Sequence, residues 1–157
     1  MSKRKLITDF TLVKVLLDFE SDAMRVFKNV PAKYRYTHEK EFFDAVACTI
    51  RLAVKSMDTP PTDSTLLRQK YYMLTEAHSE LCYAETRLIQ LNMDGSVSNV
   101  AKAGLDMKLY DVYGNLERLQ SSLAKKMSGS DSQGCASAVA PVMIGMPDCN
   151  REGGSNA

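Results

Sequence analysis

The sequence predicts an all-α protein: an antiparallel up-down-up-down four-helix bundle followed by a disordered C-terminal tail. Three observations predict it. In four successive segments apolar residues recur at alternating steps of three and four, the spacing of one buried helix face. Breakers separate those segments, with Pro31, the Pro60-Pro61 pair and Gly95 at the corners. No stretch alternates with the period of two that a half-buried strand would show. The chain has 157 residues and 45% apolar content, which fits one domain with a core.

The first segment runs over about 9–29. Leu12, Leu16, Phe19, Ala23, Val26 and Val30 form its stripe, widened by Phe10, Val13, Leu17, Met24 and Phe27. Thr8 or Asp9 is placed to cap it, and Pro31 marks its stop. The second starts after Thr37, a good N-cap, with Glu39 and Glu41 in a first turn whose dipole favours anions. Phe43, Val46, Ile50, Ala53 and Met57 form its stripe, opposite Lys40, Asp44, Arg51 and Lys55. It ends before Pro60-Pro61, which cannot continue a helix.

The third segment, over about 63–92, carries Leu67, Leu74, Ala77, Leu81, Ala84, Leu88 and Leu91, and Gly95 is its C-terminal signal. The fourth, over about 97–127, carries Leu105, Leu109, Val112, Leu116, Leu119 and Leu123. Gly104 and Gly114 lie inside it; each costs about 1 kcal/mol of helix propensity relative to Ala, or permits close helix packing. Short loops between such helices imply antiparallel neighbours.

Composition divides the chain into a flexible basic N-terminus (1–8), the bundle (9–127) and a Gly/Ser-rich tail (128–157) expected to be disordered. Five of the eight glycines fall in that tail. Its segment Ala138-Val139-Ala140-Pro141-Val142-Met143-Ile144 is apolar and uncharged, an incidental stretch or a short docking peptide.

Several function classes are disfavoured. Met1-Ser2-Lys3-Arg4-Lys5 resembles the start of a signal peptide, but Asp9 and Lys14 interrupt the adjoining apolar run and no small-residue cleavage site appears. No run approaches the 18 or so apolar residues of a membrane span, so a cytoplasmic protein with no membrane association is expected. Cys48 and Cys82 fall in apolar helical patterns and read as buried thiols; Cys135 and Cys149 lie in the tail. No C-x-x-C pair and no His near a Cys at ligand spacing points to a metal. A di-iron bundle needs Glu-x-x-His pairs, yet Arg35 precedes His38 by three residues and Thr75 precedes His78. Neither a Gly-x-Ser-x-Gly nucleophile turn nor a glycine-rich phosphate loop occurs. The expectation is a non-enzyme with no catalytic residue, metal or cofactor.

The formal net charge of +1 argues against a general nucleic-acid binder. It averages a bundle of net charge +3 over residues 1–127 against a tail of −2. Within the bundle, Arg25, Lys28, Lys33, Arg35 and Lys40 face only Glu39, a +4 stretch at the first corner. Arg51 and Lys55 continue the basic face. Tyr34 and Tyr36 interleave the loop cations, an arrangement suited to stacking on single-stranded nucleic acid; a solvated corner would carry the same pattern.

The order of these features resembles a known family. Phe27-Lys28-Asn29-Val30-Pro31 leads into Lys33-Tyr34-Arg35-Tyr36-Thr37, then a helix ending Arg51-Leu52-Ala53-Val54-Lys55, then two long leucine-rich helices. This resembles the four-helix-bundle proteins grouped with the accessory variability determinant (Avd) of diversity-generating retroelements. Their superfamily includes small proteins encoded in intervening sequences of bacterial 23S rRNA genes. The resemblance covers about residues 9–127, and its most specific piece is Pro31-x-Lys33-x-Arg35. It implies a non-catalytic accessory protein, a homo-oligomer and by analogy a pentamer, that binds a reverse transcriptase and its template RNA. It carries over Lys28, Lys33 and Arg35 as RNA- or partner-binding residues, with Arg51 and Lys55 weaker. The Asn-Ile-Ala-Glu-Gly signature of the intervening-sequence branch is absent, its place reading Leu52-Ala53-Val54-Lys55-Ser56, which favours the Avd-like branch. The glycine-tryptophan ending of many Avd-like proteins is also missing; the last helix ends Leu123-Ala124-Lys125-Lys126-Met127. The alternative is a protein-interaction scaffold of the same fold without nucleic-acid contact.

Overall fold

A computed structural model describes residues 10–131. The predicted basic N-terminus, the caps Thr8 and Asp9, and the tail segment 138–144 lie outside the described residues. The elements are α1 (Thr11–Phe27), a short α2 (Ala32–Tyr34), a wider π segment (Arg35–Glu39), α3 (Lys40–Asp58), α4 (Ser64–Met93) and α5 (Asn99–Asp131). No strand occurs among the described residues. α1, α3, α4 and α5 are the four bundle helices, running up, down, up and down, and each packs on its chain neighbour while α5 closes the ring on α1.

The corners follow from local chemistry. Asp63 caps α4, its carboxylate accepting from the Leu66 amide at 2.8 Å. Ser98 does the same for α5 through the Ala101 amide at 3.2 Å. Gly95 takes φ +76°, the left-handed conformation that lets the Ser96 and Val97 amides reach back to the Leu91 carbonyl. Replacing Asp63 with alanine removes the one side-chain cap of α4 and should destabilise the fold by about 1 kcal/mol, read as a lower thermal midpoint.

The core assembles the predicted stripes with a rotation of α3. On α1, Leu17 and Met24 stand exposed and Val26 half-buried, because the buried face is narrower than the apolar stripe. All seven α4 stripe residues are buried, as are Leu105, Leu109, Val112, Leu116 and Leu123 of α5, with Leu119 half-buried. On α3 the fully buried set is Phe42, Ala45, Val46, Thr49, Ala53 and Ser56, while Phe43, Ile50 and Met57 are half-buried. The helix is turned because Thr49 and Ser56 satisfy their own hydroxyls. Thr49 Oγ1 donates to the Ala45 carbonyl at 2.9 Å, and Ser56 Oγ to that of Ala53 at 2.8 Å.

Three boundaries and the exposure of two thiols differ from expectation. α1 begins at Thr11 without a side-chain cap. The second helical run begins at Ala32 rather than after Thr37, because Pro31 with φ −57° opens a helix as readily as it stops one. α5 continues past Met127 and through Gly129 to Asp131; the Ser128 hydroxyl donates to the Ala124 carbonyl at 2.9 Å. Cys82 is exposed and Cys48 half-buried, not buried as expected, since each sits at the edge of its stripe.

Gly104 and Gly114 do not permit close packing within the chain, for nothing lies within 4 Å of a Cβ placed on either. Changing both to alanine should therefore stabilise the bundle by about 1 kcal/mol per site in urea unfolding.

Candidate nucleic-acid interface

Chain reversal places the α1–α2 corner and the α4–α5 turn at one end of the bundle. His38 Nε2 lies 3.7 Å from an Asp94 carboxylate oxygen across that end. The opposite, open end holds the start of α1, the 59–63 loop, the first turns of α4 and the last of α5. With 33 residues against 17, α5 runs well past the start of α1.

At the corner, the five cations counted in the sequence have different fates. Arg25 pairs with Asp22 at 3.3 Å and Lys40 with Asp44 at 3.7 Å. Arg35 Nε donates to the Val30 carbonyl at 2.9 Å, Nη2 reaches the Lys28 carbonyl at 3.4 Å, and Glu39 stands 4.0 Å away. Its guanidinium thus satisfies carbonyls left open by the end of α1, a clamp set by the π segment. Lys28 and Lys33 are exposed and enter none of the ion pairs among the described residues, although the Asp94 carboxylate across the end acts on Lys33. The Lys33 ammonium sits 4.5 Å above the Tyr34 ring, and the Tyr34 phenol holds it above the ordinary lysine range. Tyr36 is exposed beside them.

Arg51 and Lys55 are exposed on α3, but Lys33 precedes Arg51 by 18 residues in a nearly continuous helical run. At 1.5 Å per residue that separates them by about 27 Å. The five predicted residues therefore form a corner pair, a clamp, and two cations further down the flank toward the open end.

The sequence places His78 on one face with Cys82 and Glu85, which reads as a surface or interface histidine. The structure joins them to Tyr113 in a polar cluster between α4 and α5, so a His does sit beside a Cys, contrary to expectation. Cys82 Sγ lies 3.6 Å from His78 Nδ1, and the Tyr113 hydroxyl donates to Glu85 at 2.8 Å with Cys82 Sγ at 3.5 Å. The signal was present, since His78, Cys82 and Glu85 share a face at offsets of four and seven; Tyr113 comes from a distant segment. Burial, then the bonds to Cys82 and Glu85, push the Tyr113 phenol above the ordinary tyrosine value, so it stays protonated as a donor. A raised folded value means stability present below about pH 10 and lost above it, as the unfolded phenol ionises first. Tyr113→Phe should flatten that alkaline loss in melts from about pH 8 to 11, while costing about 1 kcal/mol near neutrality.

Among the described residues no group of three or more His, Cys, Asp or Glu is placed to hold a metal ion. No described helix is long and apolar enough to cross a membrane. The described fold defines a class, the all-α antiparallel four-helix bundle. Beyond that class, no family model and no curated protein matches this chain.

Proposed function

We propose that the chain is a non-enzymatic accessory protein of a diversity-generating retroelement, a cytoplasmic, oligomeric bundle that binds a reverse transcriptase and its template RNA. The observation that carries the reading is the Pro31-x-Lys33-x-Arg35 corner. Arg35 clamps the backbone so that the exposed Lys28 and Lys33 stand at a fixed place beside Tyr34 and Tyr36. Arg51 and Lys55 extend positive charge down the flank. A surface of this kind attracts a polyanion and weakens with salt.

Assembly has its own support. Val100, Met107 and Tyr110 stand exposed on α5, alongside Ala103 and Gly104, where small residues let another helix approach. The same face favours a second reading, a protein-interaction scaffold without RNA.

Purification of the tagged full chain from its own cells, after crosslinking, separates the readings. Recovery of a reverse transcriptase together with one enriched RNA is the expected result. Protein partners without either would support the scaffold and contradict the accessory role.

A further inference from the structure

We propose that the groove at the open end of the bundle, between the first turns of α4 and the last turns of α5, binds single-stranded nucleic acid. The inference rests on the reading that the chain binds RNA, and it assigns the strand to a surface outside the corner motif.

Arg68, Tyr71 and Tyr72 share one face of α4 at offsets of three and four. Ala124, Met127 and Ser128 do the same on α5, and the two triplets line a groove of about 430 Å³. Lys125 and Lys126 flank Met127 in the sequence of α5, and Lys70 lies between Arg68 and Tyr71 on α4. The seven ion pairs of the described residues all lie elsewhere, so Arg68, Lys70, Lys125 and Lys126 have no carboxylate partner among them. Of the acids near these residues in sequence, Asp63 is committed to capping α4, while Asp58, Glu76, Glu117 and Asp131 offset part of the positive charge. Burial lowers Lys70 below the ordinary lysine range and the charge of Lys126 lowers it further. The fold thus holds like charges together against their repulsion, which an anionic ligand would relieve.

The tyrosines choose the class of anion. Tyr72 is 69% exposed, with its ring 6.4 Å from that of Tyr71 at 72°. An exposed aromatic face beside a guanidinium and an apolar floor of Ala124 and Met127 suits an unpaired base, with the cations taking its phosphates. An acidic peptide would use the charges and leave the ring idle.

Fluorescence anisotropy of the full chain with labelled oligouridine RNA of about 12 nucleotides, over about 50 to 200 mM salt, tests this. Changing Arg68, Lys125 and Lys126 together to Glu should weaken binding at least tenfold and reduce the salt slope by about 2. Tyr72→Ala should weaken it about tenfold with the slope unchanged. Because Tyr72 is so exposed, that variant keeps the test decisive if the triple change disturbs folding. Lys28→Glu with Lys33→Glu should weaken binding as well, and Tyr72→Ala placed in that background should weaken it about tenfold further. The groove is overturned if the open-end variants bind like the parent while the corner pair loses binding, an outcome that leaves the accessory reading standing. It is also overturned if polyglutamate displaces the RNA at equal charge and Tyr72→Ala has no effect, which would mark an acidic protein partner. A parent that binds no RNA at low salt removes both groove and RNA contact, while reverse transcriptase capture still judges the rest.

Discussion

Replacing Phe42 with alanine is expected to lower the unfolding free energy by about 3–5 kcal/mol. Phe42 is fully buried where α3 meets α1, with ring centroids 4.8 Å from Phe27, 5.9 Å from Phe19 and 5.2 Å from Phe43. Truncation removes the transfer free energy of the ring and leaves a cavity walled by three stiff aromatic side chains that cannot collapse into it. Edge-to-face contacts worth about 0.5–1.5 kcal/mol each are lost as well. Domains of this size are stable by about 5–15 kcal/mol, so the loss is a large share of the total. Urea unfolding should show a midpoint lower by about 2 M with little change in slope. Phe43→Ala, at a half-buried position, should cost clearly less. Equal losses at the two positions would contradict the rotation of α3 that buries Phe42.

The second large effect is expected at Arg35, and it concerns stability before binding. Arg35→Ala leaves the Val30 and Lys28 carbonyls without their guanidinium donor and should cost about 1–3 kcal/mol. Arg35→Lys should rescue little, because an ammonium cannot serve two carbonyls with the fixed fork of a guanidinium. Lys28→Glu with Lys33→Glu should change the melting temperature little, as both cations are exposed and neither enters an ion pair among the described residues. A shared loss of binding in Arg35 and lysine variants therefore needs the melting curve beside it. If Arg35→Ala melts like the parent, Arg35 is a surface cation and the clamp is wrong.

Much of this architecture was legible in the residues. The heptad-like stripe of α4 is buried at each of its seven positions, since a 3.6-residue period admits one face to the core. Periodicity misjudged the edge of α1, where Leu17 and Met24 are exposed, and the face of α3, where Thr49 and Ser56 enter the core with their hydroxyls bonded back to the helix. Pro31 was ambiguous for a physical reason: a residue without an N–H stops one helix and suits the first turn of the next.

The site was less legible than the fold. Counting charge from 25 to 40 gave a basic corner, but the count does not subtract Asp22 and Asp44, which lie three and four residues from their partners just outside the stretch. Nor can it show a guanidinium turned onto its own backbone. The open-end groove was invisible in one dimension, because residues 68–72 and 124–128 meet only through the antiparallel register of α4 and α5.

The most direct test of the accessory role is reconstitution with a reverse transcriptase from the same cell. The full chain, the enzyme and candidate template RNA would be co-expressed, purified by size, and assayed for cDNA synthesis with and without the bundle. The account predicts one complex holding several copies of the chain, with template-directed synthesis that depends on it. An enzyme that elutes alone and makes the same cDNA without the chain would contradict it.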